Sequence, residues 1–338
     1  MPELTISITI LVIALAFGWW LLQSRKRIRH PVAAGLNEQE TIPHSQEFEL
    51  YHNALSLCSM KTRVCLAELG ISYRSHPVDL IETGCYENIR PEFLKINPAG
   101  TVPVLVHNGH PVYESHVQIL HAAAHAPAGS PSLTPENAEA LETMQYWIDQ
   151  SSIKGDPLAN GPNTAGNAIP GLTVPLFSAM VAEIPAWKIT EGFLFHFDKR
   201  RPFVFFALKL LGLEKLQYLK PALKVHSESR LQMQKYMSEL EAQLHSSGGP
   251  WILGELFSLA DVSWLVIFER LAQADSLHLY IGDSLRPTLT AYWKMLKARP
   301  SYQSAILDHQ HPTVTRGTAR LIDSKIRVSR LRKALDGE

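Results

Sequence analysis

The chain has 338 residues, and its 32 Lys and Arg balance 32 Asp and Glu, so the formal net charge is zero. Balanced charge argues against a nucleic-acid partner, and this length predicts about two domains with additional segments. The three cysteines form neither a CxxC motif nor a regular spacing. They therefore argue against a disulfide scaffold and a dithiol redox motif, and they fit a reducing compartment.

An apolar segment lies close to the N-terminus. Residues 5–22 carry no charged side chain, and a helix of about 18 residues nearly crosses a hydrocarbon core of about 30 Å. Trp19 and Trp20 lie near one end, and four basic residues follow between positions 25 and 29. We interpret the segment as an uncleaved single-pass anchor. The alternatives are a cleaved signal peptide, for which no convincing cleavage site is present, and a buried helix. The basic flank predicts that the main body is cytoplasmic.

A linker and then a small domain follow the apolar segment. Residues 23–46 are predicted to be a polar linker, because Gly, Asn and Pro interrupt any regular pattern. Residues 47–127 then show a strand pattern at Phe48–Tyr51, a helix with apolar residues at 4-3-4 spacing, and a second strand at Ser72–Val78. Asn108-Gly109 between two apolar runs predicts a hairpin, and a further helix follows. This order predicts a thioredoxin-like α/β domain.

Two nucleophilic side chains, Ser56 and Cys58, lie where the first strand of this domain gives way to its helix. Backbone N–H groups at a helix start are unpaired and carry the positive end of the helix dipole. Such a position favours a thiolate over a thiol. Lys61 and Arg63 add positive charge in the first turns, although a solvated helix face explains these two residues equally well. The turn is therefore the first candidate for a reactive site.

Two further elements complete a recognisable set. Pro103 begins a strand, where the Val102-Pro103 bond is well placed to be cis in a tight turn. Glu114-Ser115 leads into the next helix, with Ser115 as its expected N-cap. The run Asn97–Leu105 followed by Glu114-Ser115 resembles the glutathione-binding half of the glutathione transferase superfamily. The resemblance implies that the Val102 backbone beside Pro103 pairs with the cysteinyl part of glutathione, and that Glu114 and Ser115 bind its γ-glutamyl group.

The sequence of the nucleophile turn refines this resemblance. Cys-Ser-Met-Lys-Thr-Arg, residues 58–63, behind a Ser-x pair is similar to the zeta class and, more closely, to the tetrachlorohydroquinone reductive dehalogenases. The resemblance implies that Ser56 hydrogen-bonds the glutathione sulfur and that Cys58 attacks the sulfur of a glutathione conjugate. In an isomerase Cys58 would instead assist transient addition, and in a conjugating enzyme it would be idle. Whether Ser56 or Cys58 carries the main step stays open.

The second half of the chain is predicted to be an all-α domain over residues 133–312. Ser258 and Asp261 form a capping-box pattern that resembles the N-capping box of the same superfamily, so Asp261 is expected to be structural. A basic tail, residues 313–338, is expected to be a solvated helix, with contact to anionic lipid as the alternative. The complete fold expected is thus that of a glutathione transferase, preceded by one transmembrane helix.

One segment of this half departs from the usual pattern of the superfamily. Residues 155–223 form a long insertion rich in apolar and aromatic side chains, and loops beyond about 15 residues are uncommon in compact domains. Three interpretations stay open. The insertion covers the substrate site, lies in the membrane interface, or adds to the core.

The remaining cysteines and the histidines give no metal site. Cys65 is expected to be a small buried side chain within a helix, and Cys85 lies in a loop without a visible partner. Several histidines lie at strand, turn and helix positions that suggest no shared ligand geometry, namely His52, His107, His110, His116, His121 and His125. We therefore expect glutathione as co-substrate and no metal.

Together these features predict a membrane-anchored, cytoplasm-facing glutathione transferase that acts on a hydrophobic electrophile. The reaction is expected to be thiol exchange with reductive dehalogenation, isomerisation or conjugation through Ser56 and Cys58. A homodimer follows from the family resemblance alone. The alternative is a non-catalytic, membrane-tethered adaptor or dimerisation module that keeps the fold.

Overall fold

The computed structural model describes residues 2–337, which begin with one long exposed helix. Helix α1 spans Pro2–Arg25, and it contains one of two described segments that are long and apolar enough to cross a membrane, Leu4–Arg25. The predicted linker after it is ordered against the domain. Strand β1 (Gly35–Leu36) pairs antiparallel with the last strand of the sheet, and the buried Ile42 donates its N–H to the carbonyl of Gly109 at 2.7 Å.

The first domain has the predicted thioredoxin-like mixed sheet. Its strands run in the order β1-β5-β4-β2-β3, with β2 parallel to β3 and the other pairs antiparallel. Asn108 and Gly109 have φ of 50° and 83°, as the tight turn of this hairpin requires. The elements are β2 (Phe48–His52), α2 (Leu57–Glu68), β3 (Arg74–Pro77), α3 (Pro91–Leu94), β4 (Val104–His107), β5 (His110–Tyr113) and α4 (Ser115–Ala124).

The second domain is all-helical and is centred on one buried helix. That helix, α11, is covered by α5, α7 and α12 of its own domain and by α2 of the sheet domain. The elements are α5 (Ala138–Ser151), α6 (Pro157–Asn160), α7 (Ala165–Met180), α8 (Ala186–Phe195), α9 (Arg200–Leu211), α10 (Lys220–Ser246), α11 (Leu259–Gln273), α12 (Pro287–Ala298), α13 (Pro300–Ala305), α14 (Pro312–Arg327) and α15 (Ser329–Asp336). The predicted order, a thioredoxin-like α/β domain followed by an all-α domain, is confirmed.

The long insertion divides into two parts with different roles. Helix α7 lies within the second apolar segment, Ala165–Glu183. In the most apolar stretch of this segment, 78% of the residues are buried. This helix is therefore additional core. Helix α8 contributes Ile189, and α9 contributes Phe205 and Leu208, to a buried cluster that also contains Tyr86 of the sheet domain, but the two helices leave other apolar side chains exposed.

The basic C-terminal segment is part of the helical core, so the expectation of a solvated helix is wrong. Leu321 and Leu331 are fully buried, and α14 packs against α7 and α11. The buried Lys325 forms ion pairs with Asp275 at 2.9 Å and Asp336 at 2.7 Å. Part of the basic charge of the C-terminal segment is therefore neutralised by buried ion pairs within the protein.

The capping box of α11 is present as the sequence predicts. The buried Asp261 carboxylate accepts hydrogen bonds from the N–H groups of Ile252 and Ser258 at 3.0 and 2.8 Å. It also accepts from the hydroxyls of Ser258 and Tyr292, both at 2.9 Å. Its part in the fold is to order the start of the central helix and the loop before it.

Replacing this carboxylate is expected to destabilise the protein strongly. Asp261→Ala leaves several buried donors unpaired, and we expect the free energy of unfolding to fall by about 3 kcal/mol. Urea denaturation of the full chain in detergent measures the change. Asp283→Ala is the matched control, because its carboxylate is 87% exposed, and it should change stability by less than about 0.5 kcal/mol. Equal effects of the two substitutions would contradict the structural role of Asp261.

Candidate active site

The turn between β2 and α2 is held rigidly by one buried asparagine. The Asn53 carboxamide oxygen accepts the N–H groups of Leu55 and Ser56 at 2.9 and 3.1 Å. Its nitrogen donates to the carbonyl of Val78 and the hydroxyl of Thr83, both at 2.9 Å. The first two hydrogen bonds close the turn itself and the other two tie it to the segment after β3, so the residues that follow have a fixed position.

Ser56 and Cys58 occupy the first positions of α2. Ser56 is the N-cap, and its hydroxyl oxygen accepts the N–H of Ser59 at 3.3 Å. Cys58 is the second helical residue and is half-buried. Its side chain therefore lies at the positive end of the helix dipole and is partly accessible to a ligand.

Lys61 is buried behind this turn rather than solvated. Its ammonium donates to the hydroxyl of Ser152 at 2.9 Å, and its side chain is 1% exposed. Burial lowers the pKa of Lys61 to about 8, and this shift is opposed by negative charge on Cys58, Asp149 and Glu114. Lys61 is therefore a buried cation one helical turn from Cys58, and of the two interpretations that the sequence leaves open for this residue the solvated helix face is wrong.

Arg63 is also buried, but it serves the fold instead of the thiol. Its guanidinium donates to the carbonyls of Ala305 at 2.8 Å and Asn53 at 3.0 Å, and it lies 3.1 Å from Nδ1 of His52. Burial, with a smaller contribution from the charge of Arg63, lowers the pKa of His52 to about 3. His52 is thus neutral and fully hydrogen-bonded, since its other ring nitrogen lies 2.8 Å from the hydroxyl of Ser75.

A second cation near Cys58, Arg270, comes from the helical domain, and no motif in the sequence predicts it. Arg270 of α11 is buried and donates to the carbonyl of Leu55. Burial lowers the pKa of Arg270 to about 10, while the charges of Glu269, Glu82 and Cys58 oppose this. The signal in the sequence is the charged pair Glu269-Arg270 within a mostly apolar helix.

The loop before β4 is joined to α2 by a buried glutamine of α4. The Val102-Pro103 peptide is cis, and the Pro103 carbonyl accepts a hydrogen bond from the Gln118 side chain at 3.0 Å. The Gln118 carboxamide oxygen in turn accepts the hydroxyl of Thr62 at 2.9 Å. One network therefore positions α2, α4 and the loop that carries Val102.

Glu114 and Ser115 lie at the start of α4, as predicted, but with exchanged roles. Glu114 is the N-cap and Ser115 the first helical residue, so the expectation that Ser115 is the N-cap is wrong. Glu114 has φ of 68°, a conformation that residues other than glycine seldom adopt and that concentrates at ligand sites. Its carboxylate is exposed, and its negative charge, like that of Cys58, raises the pKa of Lys61.

The charge of Lys61 is expected to control the reactivity of Cys58. Lys61→Met should slow iodoacetamide alkylation of Cys58 at pH 7 about tenfold, equivalent to about 1.4 kcal/mol. The difference should shrink above pH 8, because wild-type Lys61 then loses its own proton. Peptide mass spectrometry at a series of pH values measures the rates.

Lys154→Met is the matched control for this experiment. This substitution removes the same charge from the same region. The Lys154 side chain, however, is 42% exposed and pairs with Asp149 at 2.9 Å. We expect it to change alkylation little. Equal slowing by the two substitutions at pH 7 would contradict a specific role of Lys61.

Comparison with known proteins agrees with this geometry. The models for the N-terminal and C-terminal domains of glutathione S-transferase match residues 55–125 and 218–304. The chain is 29% identical over 259 residues to tetrachloro-p-hydroquinone reductive dehalogenase from Sphingobium chlorophenolicum, covering 77% of this chain and 95% of that protein. It is 28% identical over 266 residues to glutathione S-transferase TCHQD from Arabidopsis thaliana, covering 76% and 89%. These relatives are enzymes.

A solved structure gives the same result for the fold. The β-etherase LigF from Sphingobium sp. strain SYK-6 superimposes with a TM-score of 0.62 at 19% identity, covering 78% of this chain and all of that one. Both domain models fall in the expected order along the chain, on the sheet domain and the helical domain respectively. The chain belongs to the glutathione transferase superfamily, whose enzymes use glutathione as co-substrate.

Proposed function

We propose that the protein is a membrane-anchored glutathione transferase that removes a halide or similar leaving group from a hydrophobic, electron-poor ring by two thiol steps. The observation that carries this proposal is the setting of Cys58. It is partly accessible at the start of α2, and the buried Lys61 and Arg270 both act on its charge. A simple conjugating enzyme has no use for a second nucleophile beside the glutathione sulfur.

The first step forms a glutathione conjugate. The Ser56 oxygen already accepts the Ser59 N–H, so its own O–H is available to donate to the glutathione sulfur and favour its thiolate. The Val102 backbone beside Pro103 binds the cysteinyl part of glutathione, and Glu114 and Ser115 bind the γ-glutamyl group. The thiolate attacks the ring carbon, a C–S bond forms, and the leaving group departs with its bonding electron pair.

The second step returns the ring in reduced form. The Cys58 thiolate attacks the sulfur of the conjugate, so that an S–S bond forms and the C–S bond breaks. The electron pair of that bond stays on the ring carbon, which takes up a proton from water. A second glutathione thiolate then attacks the mixed disulfide and releases glutathione disulfide. The ring gains two electrons, two glutathione molecules lose them, and Cys58 is restored.

The contacts of α1 support a membrane location. The Trp20 indole donates to the carbonyl of Leu194 at 3.3 Å, and Trp19 packs edge-on against Phe195. The Arg27 guanidinium lies 4.1 Å above the ring of Phe195. The end of α1 therefore packs directly against α8.

The insertion adds further apolar surface beside this contact. Trp187, Phe203 and Leu210 of α8 and α9 are 65%, 64% and 72% exposed. Large exposed apolar side chains in one segment are typical of a surface that meets a membrane or a partner. We therefore place α8 and α9 in the membrane interface, close to the source of a lipid-soluble substrate, with the main body on the cytoplasmic side.

Two substitutions are expected to separate the two chemical steps. Ser56→Ala should slow conjugation by about 10²–10³-fold, as loss of one donor to a developing charge does. Cys58→Ala should leave conjugation near the wild-type rate but stop formation of reduced ring and glutathione disulfide. Chromatography with mass detection follows all three products from a halogenated hydroquinone. Cys85→Ala is the control, and continued disulfide formation by Cys58→Ala would contradict the mechanism.

Membrane attachment is expected to depend on the middle of α1. The wild-type chain should stay with membranes after alkaline carbonate extraction. Leu11→Lys with Leu15→Lys should release it, because each charge at the bilayer centre costs about 3 kcal/mol. Leu231→Lys with Leu285→Lys is the control, since both of these leucines are exposed on the body. Release of the wild type, or retention of the α1 variant, would contradict anchoring by this helix.

A further inference from the structure

Three histidines outside the proposed active site converge at the far end of α4. His107 ends β4, His121 lies in the last turn of α4, and His125 follows that helix directly. Each offers one ligand atom, and these atoms lie within 4.8 Å of one another. The expectation that the histidines share no ligand geometry is therefore wrong for these three.

Hydrogen bonds to two of the rings select which nitrogen is free. Nδ1 of His125 lies 2.8 Å from the carbonyl of His121, so it carries the proton and Nε2 keeps its lone pair. Nε2 of His107 faces the Glu47 carboxylate at 3.5 Å. This contact favours the tautomer with the proton on Nε2 and a lone pair on Nδ1. Such a carboxylate–histidine contact is the usual support of a metal-binding imidazole.

The third ring completes the set. Nε2 of His121 lies 2.9 Å from Nδ1 of His107, and without metal the two nitrogens share a hydrogen bond. Two imidazoles on a tetrahedral zinc ion hold their nitrogens about 3.3 Å apart. A shift of a few tenths of an ångström, with the His121 proton moved to its Nδ1, is thus sufficient.

Two of the rings, His121 and His107, are kept neutral by their surroundings. Burial, together with the neighbouring His125 and His107, lowers the pKa of His121 to about 4. The pKa of His107 is also lowered, first by burial and then by His125. Its ring stacks on Phe48 with centroids 4.4 Å apart and planes 2° apart. Neutral imidazoles need no deprotonation before they bind a metal.

We propose that Nδ1 of His107 and the Nε2 atoms of His121 and His125 bind one Zn²⁺ ion, with water as the fourth ligand. The ion would join β4 to the C-terminal end of α4, the helix whose other end begins at Ser115. It would thus act as a clamp on the sheet domain, separate from the chemistry at Cys58.

Titration of the full chain without a polyhistidine tag, in detergent, tests this site. Calorimetry with Zn²⁺ should give one ion per chain, and Co²⁺ should give the intense visible absorption of tetrahedral coordination. His121→Ala should weaken Zn²⁺ binding by about 100-fold or more, and Glu47→Gln by about tenfold. Zn²⁺ should raise the Tm of the wild type but not of His121→Ala.

Two further variants keep the test decisive. His125→Ala changes an exposed ring, so it should fold normally and still lose the tetrahedral Co²⁺ spectrum. His110→Ala is the matched control from the same hairpin, because its ring faces the carbonyl of Glu40 at 2.9 Å, and it should bind Zn²⁺ as the wild type does. Absence of binding in the wild type, or equal binding by wild type, His121→Ala and His125→Ala, would overturn the proposal.

Discussion

The rest of the structure depends on three buried cations that join the two domains around the start of α2. Lys61 donates to Ser152 at the end of α5, Arg63 to the carbonyl of Ala305, and Arg270 of α11 to the carbonyl of Leu55. Their hydrogen bonds go mainly to uncharged groups, and a buried charge without compensation is costly. These contacts therefore hold the domains in one relative position, with the nucleophile turn at their junction.

This constraint explains why the helical domain matters for the chemistry of the sheet domain. Cys58 belongs to α2, but Arg270, one of the two cations near it, belongs to α11. The other cation, Lys61, is held by the hydroxyl of Ser152 at the end of α5. A cation held before the reaction begins stabilises developing negative charge without reorganisation. The same buried charges also make the junction sensitive to pH, because the pKa of Lys61 is lowered to about 8.

The sequence predicts the local features of this site better than the long-range ones. The Asn108-Gly109 hairpin, the cis bond before Pro103 and the Ser258–Asp261 box each depend on a few adjacent residues, and all three are present. For Lys61 and Arg63 the sequence leaves a solvated face and a role beside the thiol equally open, but nine of the twelve residues of α2 are buried between the sheet and the helical domain. A prediction from hydrophobic periodicity assigns charged residues to the exposed face of a helix, so it misses charged side chains that are buried. Arg270 contacts a residue 215 positions away, and no spacing rule reaches so far.

The central claim is that Cys58 exchanges with the sulfur of a glutathione conjugate, and a single turnover tests it most directly. The purified chain is mixed with a preformed conjugate in the absence of free glutathione, quenched in acid and analysed by intact-mass and peptide mass spectrometry. The account predicts one equivalent of reduced ring and one glutathione bound to Cys58 as a disulfide, with neither product from Cys58→Ala. Release of reduced ring without a disulfide on Cys58 would contradict it.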